Sequence, residues 1–299
     1  MFLLPKKILT LVTSMCRNFL WTGSNEYTRR PPISWDTMCQ PRATGGLNII
    51  NFFLWNKATI YKLLWPVAKK KEKLRVLWVH TYYIKNVEWS SVDTPKQDSW
   101  LIRKVFDARN WLDADVNPNL AIDSFTVQGK FSIKKVYKDM LPRYPRTEWK
   151  KLYLVKGMLP RHQFVLWLAL HKRLSTMDRL SSWGIQVPVE CVLCGTTAME
   201  THDHLYFGCA YSKGIWQQLV KWTGIQAGGR LAQEVHWVNS QVRHNRAKGD
   251  LIAFIFAAAV YQMWMERNGR RFQQRSRDAT LIVKDIIMQV FIKGQRIVH

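Results

Sequence analysis

Cys191, Cys194, His204 and Cys209 spell the pattern C-x2-C-x9-H-x4-C, four side chains of the types that hold a tetrahedral zinc ion. The first pair makes a tight knuckle, and the second pair returns from a short turn or helix to close the site. Four ligands leave no position for a reactive water, so the chemistry expected is structural and not catalytic. Closing such a site on a local loop turns metal affinity into folding free energy, on the order of 10 kcal/mol for structural zinc peptides. His202 is a competing ligand, but the four-residue gap before Cys209 favours His204. A catalytic zinc of the nucleotide-deaminase kind would need an upstream His-x-Glu, which neither His162-Gln-Phe nor His171-Lys-Arg provides. A thioredoxin-like use of Cys191 and Cys194 would need a βαβ context that is missing around them.

The second chemical signal is charge. The 299 residues carry 45 Lys and Arg against 21 Asp and Glu, a net charge of +24 and a pI near 10.1. Such an excess implies a polyanionic partner. Nucleic acid is favoured over a membrane surface, because the basic residues are spread among aromatic ones instead of lying along one amphipathic helix. The clusters are Lys69, Lys70, Lys71, Lys73 and Arg75; Lys150, Lys151, Lys156 and Arg161; Lys172 and Arg173; and Arg267, Arg270, Arg271, Arg275 and Arg277. Lys172, Arg173, Lys213, Arg270 and Arg271 are the expected contacts to RNA or DNA phosphates. Trp167, Trp216 and Trp264 lie on apolar faces and read as core, not as stacking platforms.

Five cysteines, three of them in the zinc pattern, leave Cys16 and Cys39 over, which argues against a disulfide framework and for a reducing compartment. The apolar start of the chain is interrupted by Pro5-Lys6-Lys7 and reads poorly as a secretory signal. Leu251 to Met265 is too short for a bilayer and contains Gln262, so it reads as a buried helix. A nuclear or cytoplasmic protein is expected, with no membrane partner and no evident small-molecule substrate.

Positioning these residues requires a mainly α fold with a small β element, since apolar residues recur at three- and four-residue steps through most segments. Helices are predicted over residues 5–21, 53–65, through Leu77 to Tyr82, and over 99–112. A loop at Asn117-Pro118-Asn119 should lead into a hairpin around Gln128-Gly129, with Phe125 and Val127 on one strand and Phe131 on the other. Ser132 is placed to cap a helix through Val136 and Tyr137 that ends before Pro142. Beyond it, helices are expected through Trp149 and Leu152, from Pro160, from a Ser175-x2-Asp178 capping box to Gly184, and after Cys209. Gly228-Gly229 punctuates before three last helices near 231–243, 250–272 and 278–293. The division expected is 1–90, 91–130 with the β element, 131–222 around the zinc site, and a basic tail at 223–299.

The segment MLPRHQFVLWLALHKRLSTMDRLSSWGIQVPVECVLCG, followed by METHDHLYFGCAYSKGIWQQL, resembles the zinc-binding domain that follows the reverse transcriptase in plant non-LTR retrotransposons. Phe131-Ser132-Ile133-Lys134 with Tyr137 resembles the entry to that domain, and residues 31–65 resemble the stretch joining it to the end of the polymerase. Val260-Tyr261, Trp264 and Glu266-Arg267-Asn268 fit the usual tail of such elements. The resemblance implies a role in holding template or target, with a separate retroelement polymerase chain as a further partner. Polymerase chemistry needs paired aspartates that hold two metal ions, and the sequence contains no Asp-Asp. Nor is a ribonuclease H domain recognised in the acid-poor C-terminal part. The expectation is a non-catalytic, zinc-stabilised protein that binds nucleic acid, with a zinc-stabilised protein-interaction module or a functionless retroelement remnant as alternatives.

Overall fold

Capping and turn chemistry set the boundaries of most elements in the computed structural model, which describes residues 3–24, 31–112, 116–155, 157–224, 231–244 and 246–298. Lys156 and the Gly228-Gly229 break lie outside the described residues. The chain is mainly helical and forms two compact units, one of residues 1–42 and 46–145 and another of residues 43–45 and 146–299. Packing thus groups the chain differently from the four segments expected by sequence likeness.

The first unit contains α1 (Lys6–Thr22), α2 (Trp35–Cys39), α3 (Phe52–Ala68), α4 (Leu74–Val79), α5 (Trp100–Asp107), α6 (Pro118–Ser124), a hairpin of β1 (Thr126–Val127) and β2 (Lys130–Phe131), and α7 (Ile133–Asp139). The Asn51 side chain caps α3 by accepting the N–H groups of Phe53 and Leu54, and its own N–H donates to the Tyr137 hydroxyl at 3.0 Å. One bond therefore ties the start of α3 to α7. Tyr61 and Leu64 of α3 are buried with Phe106, Ile122 and Val136 in the core of this unit. The hairpin turns through Gln128 and Gly129, both at positive φ, the geometry that a two-residue turn needs to match strand twist. Ser132 caps α7 as expected, accepting from the Lys135 N–H.

Three expectations for this unit need correction. Asn117-Pro118-Asn119 is the start of helix α6 and not a loop: the Asn117 side chain accepts the Asn119 N–H, and Pro118 occupies the first turn, where its missing donor costs nothing. The helix predicted through Tyr82 stops at Val79 and widens into a π-turn over His80–Ile84. The helix predicted to Leu112 tightens after Asp107 into a 3-10 turn at Ala108–Trp111.

The second unit contains a 3-10 turn at Glu148–Lys151, where a longer helix was predicted, then α8 (Pro160–Leu170), α9 (Met177–Ser182), α10 (Ala210–Thr223), α11 (Leu231–His244), α12 (Arg246–Gln273) and α13 (Ala279–Val298). The apolar run of α12 packs against α8, α11 and α13 and is buried continuously from Ile252 to Val260. Leu251 to Met265 is thus a core helix, and no helix among the described residues is long and apolar enough to cross a membrane. Trp167 and Trp216 are buried, as their apolar faces required, and the Trp167 indole N–H donates to the Gly45 carbonyl at 2.7 Å.

Glycine substitutions test the packing of each unit. A Cβ on Gly46 would lie 1.9 Å from the Gln40 carbonyl oxygen, inside a turn closed by Gly46 N–H to Pro41 O and Asn48 N–H to Gln40 O. Gly46→Ala is expected to cost about 2 kcal/mol or more, as overpacking against backbone does. Gly214, within α10, has no atom within 4 Å of the added Cβ, so Gly214→Ala should stabilise by about 0.5–1 kcal/mol. Thermal unfolding followed by circular dichroism reads both signs.

Candidate metal centre

The knuckle forms at the tip of a loop whose two arms run together. Glu190 and Met199 pair as an antiparallel bridge, and the Cys191 N–H donates to Ala198 O at 2.9 Å. Gly195 turns the chain at φ +65 immediately after Cys194 and returns its N–H to Cys191 O. The other two ligands come from the turn that enters α10. Residues five apart lie about 140° from one another around a regular α-helix, on nearly opposite faces. His204 and Cys209 avoid that separation because residues His204–Gly208 form a π-turn, closed by the Cys209 N–H on His204 O at 2.7 Å. The wider turn makes the H-x4-C spacing usable.

The four ligand atoms all lie within 4.8 Å of one another. Cys191 Sγ is 3.9 Å from Cys209 Sγ, and Cys194 Sγ is 3.5 Å from His204 Nε2. A zinc tetrahedron with bonds of about 2.3 Å to sulfur and 2.0–2.1 Å to nitrogen has edges of about 3.8 Å and 3.6 Å. Donor set and spacing both fit zinc. His202 is outside this group; its ring lies buried, 3.6 Å from Asp203 Oδ1.

Local electrostatics already favour negative charge at one corner. Cys209 accepts a hydrogen bond from the Cys191 thiol and lies at the N-terminus of α10, where the Ser212 and Tyr211 N–H groups face it; its pKa is pushed down to about 7. The same thiol hydrogen bond, with burial, pushes Cys191 up to about 12.

What holds the knuckle in place is a set of arginines on the last turns of α12. Arg267 and Glu200 form an ion pair with almost no exposure, 1% and 0%, with the guanidinium 2.6–3.1 Å from the carboxylate. Glu200 also accepts the Met177 N–H at 3.2 Å, so this carboxylate caps α9. The expected Ser175 cap is replaced: the N-cap is Thr176, whose side chain makes no cap bond, and Asp178 N–H goes to Glu200 O. Arg270 donates to the Leu193 and Val192 carbonyls between the two knuckle cysteines, pairs with Glu266 at 2.8 Å and lies over the Tyr211 ring. Arg271 donates to Pro188 O, at the base of the same loop. Arg277 donates its N–H and guanidinium to Glu266.

Of the basic residues expected at phosphates, Arg270 and Arg271 therefore spend hydrogen bonds on the knuckle loop. Lys172, Arg173 and Lys213 are exposed; Lys172 pairs with Asp203 at 3.2 Å, next to the His204 turn, and Lys213 lies one turn after Cys209. The residue whose role sequence reasoning missed is Glu200, a single acidic side chain whose partner Arg267 lies 67 residues away.

Two outcomes check this construction. Arg267→Met should lower unfolding free energy by about 3–5 kcal/mol, because it strands a buried carboxylate, and adding Glu200→Leu should restore most of the loss; urea unfolding measures both. Arg270→Ala should weaken zinc binding about 10- to 100-fold, the usual cost of losing an outer-shell support, as read by competition with a chromogenic chelator.

Residues 131–216 match the protein family described as zinc-binding in reverse transcriptase. The chain is also 28% identical, over 376 aligned positions, to a protein of Arabidopsis thaliana named "Putative ribonuclease H protein"; the alignment takes in 97% of the chain and 60% of the relative. The chain thus spans less than two thirds of that relative's length. No solved structure matches. The family match ends at Trp216, inside α10, whereas the arginines gripping the knuckle come from α12. Together the match and the relative suggest a retroelement-derived protein, and the segment from Phe131 to Trp216 is the part that matches the family described as zinc-binding in reverse transcriptase.

Proposed function

We propose that this chain is a non-catalytic nucleic-acid-binding module in which a structural zinc, held by Cys191, Cys194, His204 and Cys209, fixes a basic surface around the knuckle. The observation that carries the reading is the excess of 45 basic over 21 acidic residues, set beside how the acidic ones are used. Glu200 and Glu266 pair with Arg267, Arg270 and Arg277 inside the second unit, whereas Arg173 and Lys213 are exposed and add to the excess that remains. The Lys172–Asp203 pair is more than 60% exposed on both sides, and pairs of that kind are worth at most about 1 kcal/mol, so Lys172 can exchange Asp203 for a phosphate. Among the described residues the group able to hold a metal is the Cys3His set, with four donors and no vacancy, a donor set suited to structure and not to hydrolysis.

A second reading, a protein-interaction module, has its own observation. Ile8, Leu11, Met15 and Phe19 form one exposed stripe along α1.

Anisotropy titrations of the zinc-loaded chain with labelled RNA and DNA across a salt series separate the two. The first reading expects log affinity to fall steeply with log salt. Replacing Lys172, Arg173 and Lys213 together by Gln should reduce that slope by about 2–3, close to one unit per lost phosphate contact. Binding that is absent at moderate salt, or a slope untouched by the triple variant, would contradict it.

A further inference from the structure

Beside the metal centre, the second unit contains a cavity of about 240 Å³ whose lining includes Trp149, Lys172, Asp203, Tyr206 and Val235. We propose that this cavity receives one unpaired nucleobase of a single strand, with Lys172 at its mouth on the adjoining phosphate. The inference deepens the nucleic-acid reading above and rests on it.

Size is the first argument. The volume falls below the roughly 300 Å³ at which pockets for drug-sized ligands begin, and suits a single planar ring system. The walls are the second: the half-buried Trp149 offers aromatic surface, and the buried Tyr206, Phe256, Leu166, Ala169 and Val260 behind it complete an apolar lining. Polar groups are the third. The Tyr206 hydroxyl is fully buried and makes no hydrogen bond among the described residues, whereas the His202 ring already has Asp203 Oδ1 at 3.6 Å. A buried polar group left without a partner is costly, and a base edge carrying donors and acceptors would satisfy the Tyr206 hydroxyl. Asp203 adds an acceptor suited to a ring or exocyclic N–H. The mouth is the fourth argument: Lys172 and Asp203 are both exposed there, and Arg173 follows Lys172. A duplex presents its bases stacked and paired, so only an unpaired base can enter.

The test uses the zinc-loaded full chain with a single-stranded RNA, a single-stranded DNA and a duplex of the same sequence. Val235→Phe fills the cavity from its half-buried α11 wall, with metal content and circular dichroism as folding controls. The expected result is a loss of about ten-fold or more in single-strand affinity, the effect of removing one stacked base, with duplex affinity unchanged. A loss shared equally by single strand and duplex, or no loss in either, overturns the proposal while leaving phosphate binding standing. A wild-type chain that binds none of the three overturns the nucleic-acid reading and this proposal with it. Should Val235→Phe fail to fold, competition decides: nucleoside monophosphates should displace the single strand from wild type at lower concentration than ribose phosphate, and equal competition overturns the proposal. The RNA and DNA arms report which sugar the site admits.

Discussion

A carboxylate with no exposure to water has to be neutralised where it stands, and in the second unit that carboxylate is Glu200, answered by Arg267 at 2.6 Å. Three elements meet at this pair. The return arm of the knuckle contributes Glu200 itself, α9 contributes the Met177 N–H that the carboxylate accepts, and α12 contributes the guanidinium, which also donates to Ser175 O. Moving any one of them would strand a charge or an N–H group in the interior. The metal ligands on either side of Glu200 thereby inherit a fixed platform: Cys191 and Cys194 precede it on the loop, and His204 follows four residues later.

A metal held by the four donors would share with the arginines the work of ordering the knuckle loop. Zinc would join the loop to the π-turn and α10 through its four ligands. Arg270 and Arg271 join the loop's carbonyls to α12. Glu266 then organises the donors, holding Arg270 from one turn away and Arg277 from within the break between α12 and α13. The strong positive charge of the chain thus has two parts with different physics. One part is internal and paired with backbone or buried carboxylates, and the other is exposed and free to respond to salt.

Much of this was legible in the sequence where chemistry is local. The cysteine–histidine spacing picked out four side chains that the fold brings together, the Gln128-Gly129 pair named the hairpin, and Ser132 named its cap, because each depends on residues a few positions apart. Asn117-Pro118-Asn119 was misread since the same residues serve turns and helix starts, and only the hydrogen bond from Asn119 N–H to the Asn117 side chain tells them apart. The π-turn at His204–Gly208 leaves no sequence mark beyond the spacing it permits. Arg270 and Arg271 read as phosphate contacts because a charge cluster carries no information about which carbonyls fold back to meet it from 77 and 83 residues away. Glu200 was invisible for the same reason: its partner is distant in sequence, and its burial follows from tertiary packing alone.

Cys191, Cys194, His204 and Cys209 are placed to close around one zinc with no open position. X-ray absorption at the zinc edge of the purified full chain measures the coordination shell itself. Three sulfur neighbours at about 2.3 Å and one nitrogen at about 2.0–2.1 Å would agree with the geometry. Two sulfurs with an added oxygen, or a shell unaffected by Cys209→Ser, would contradict it.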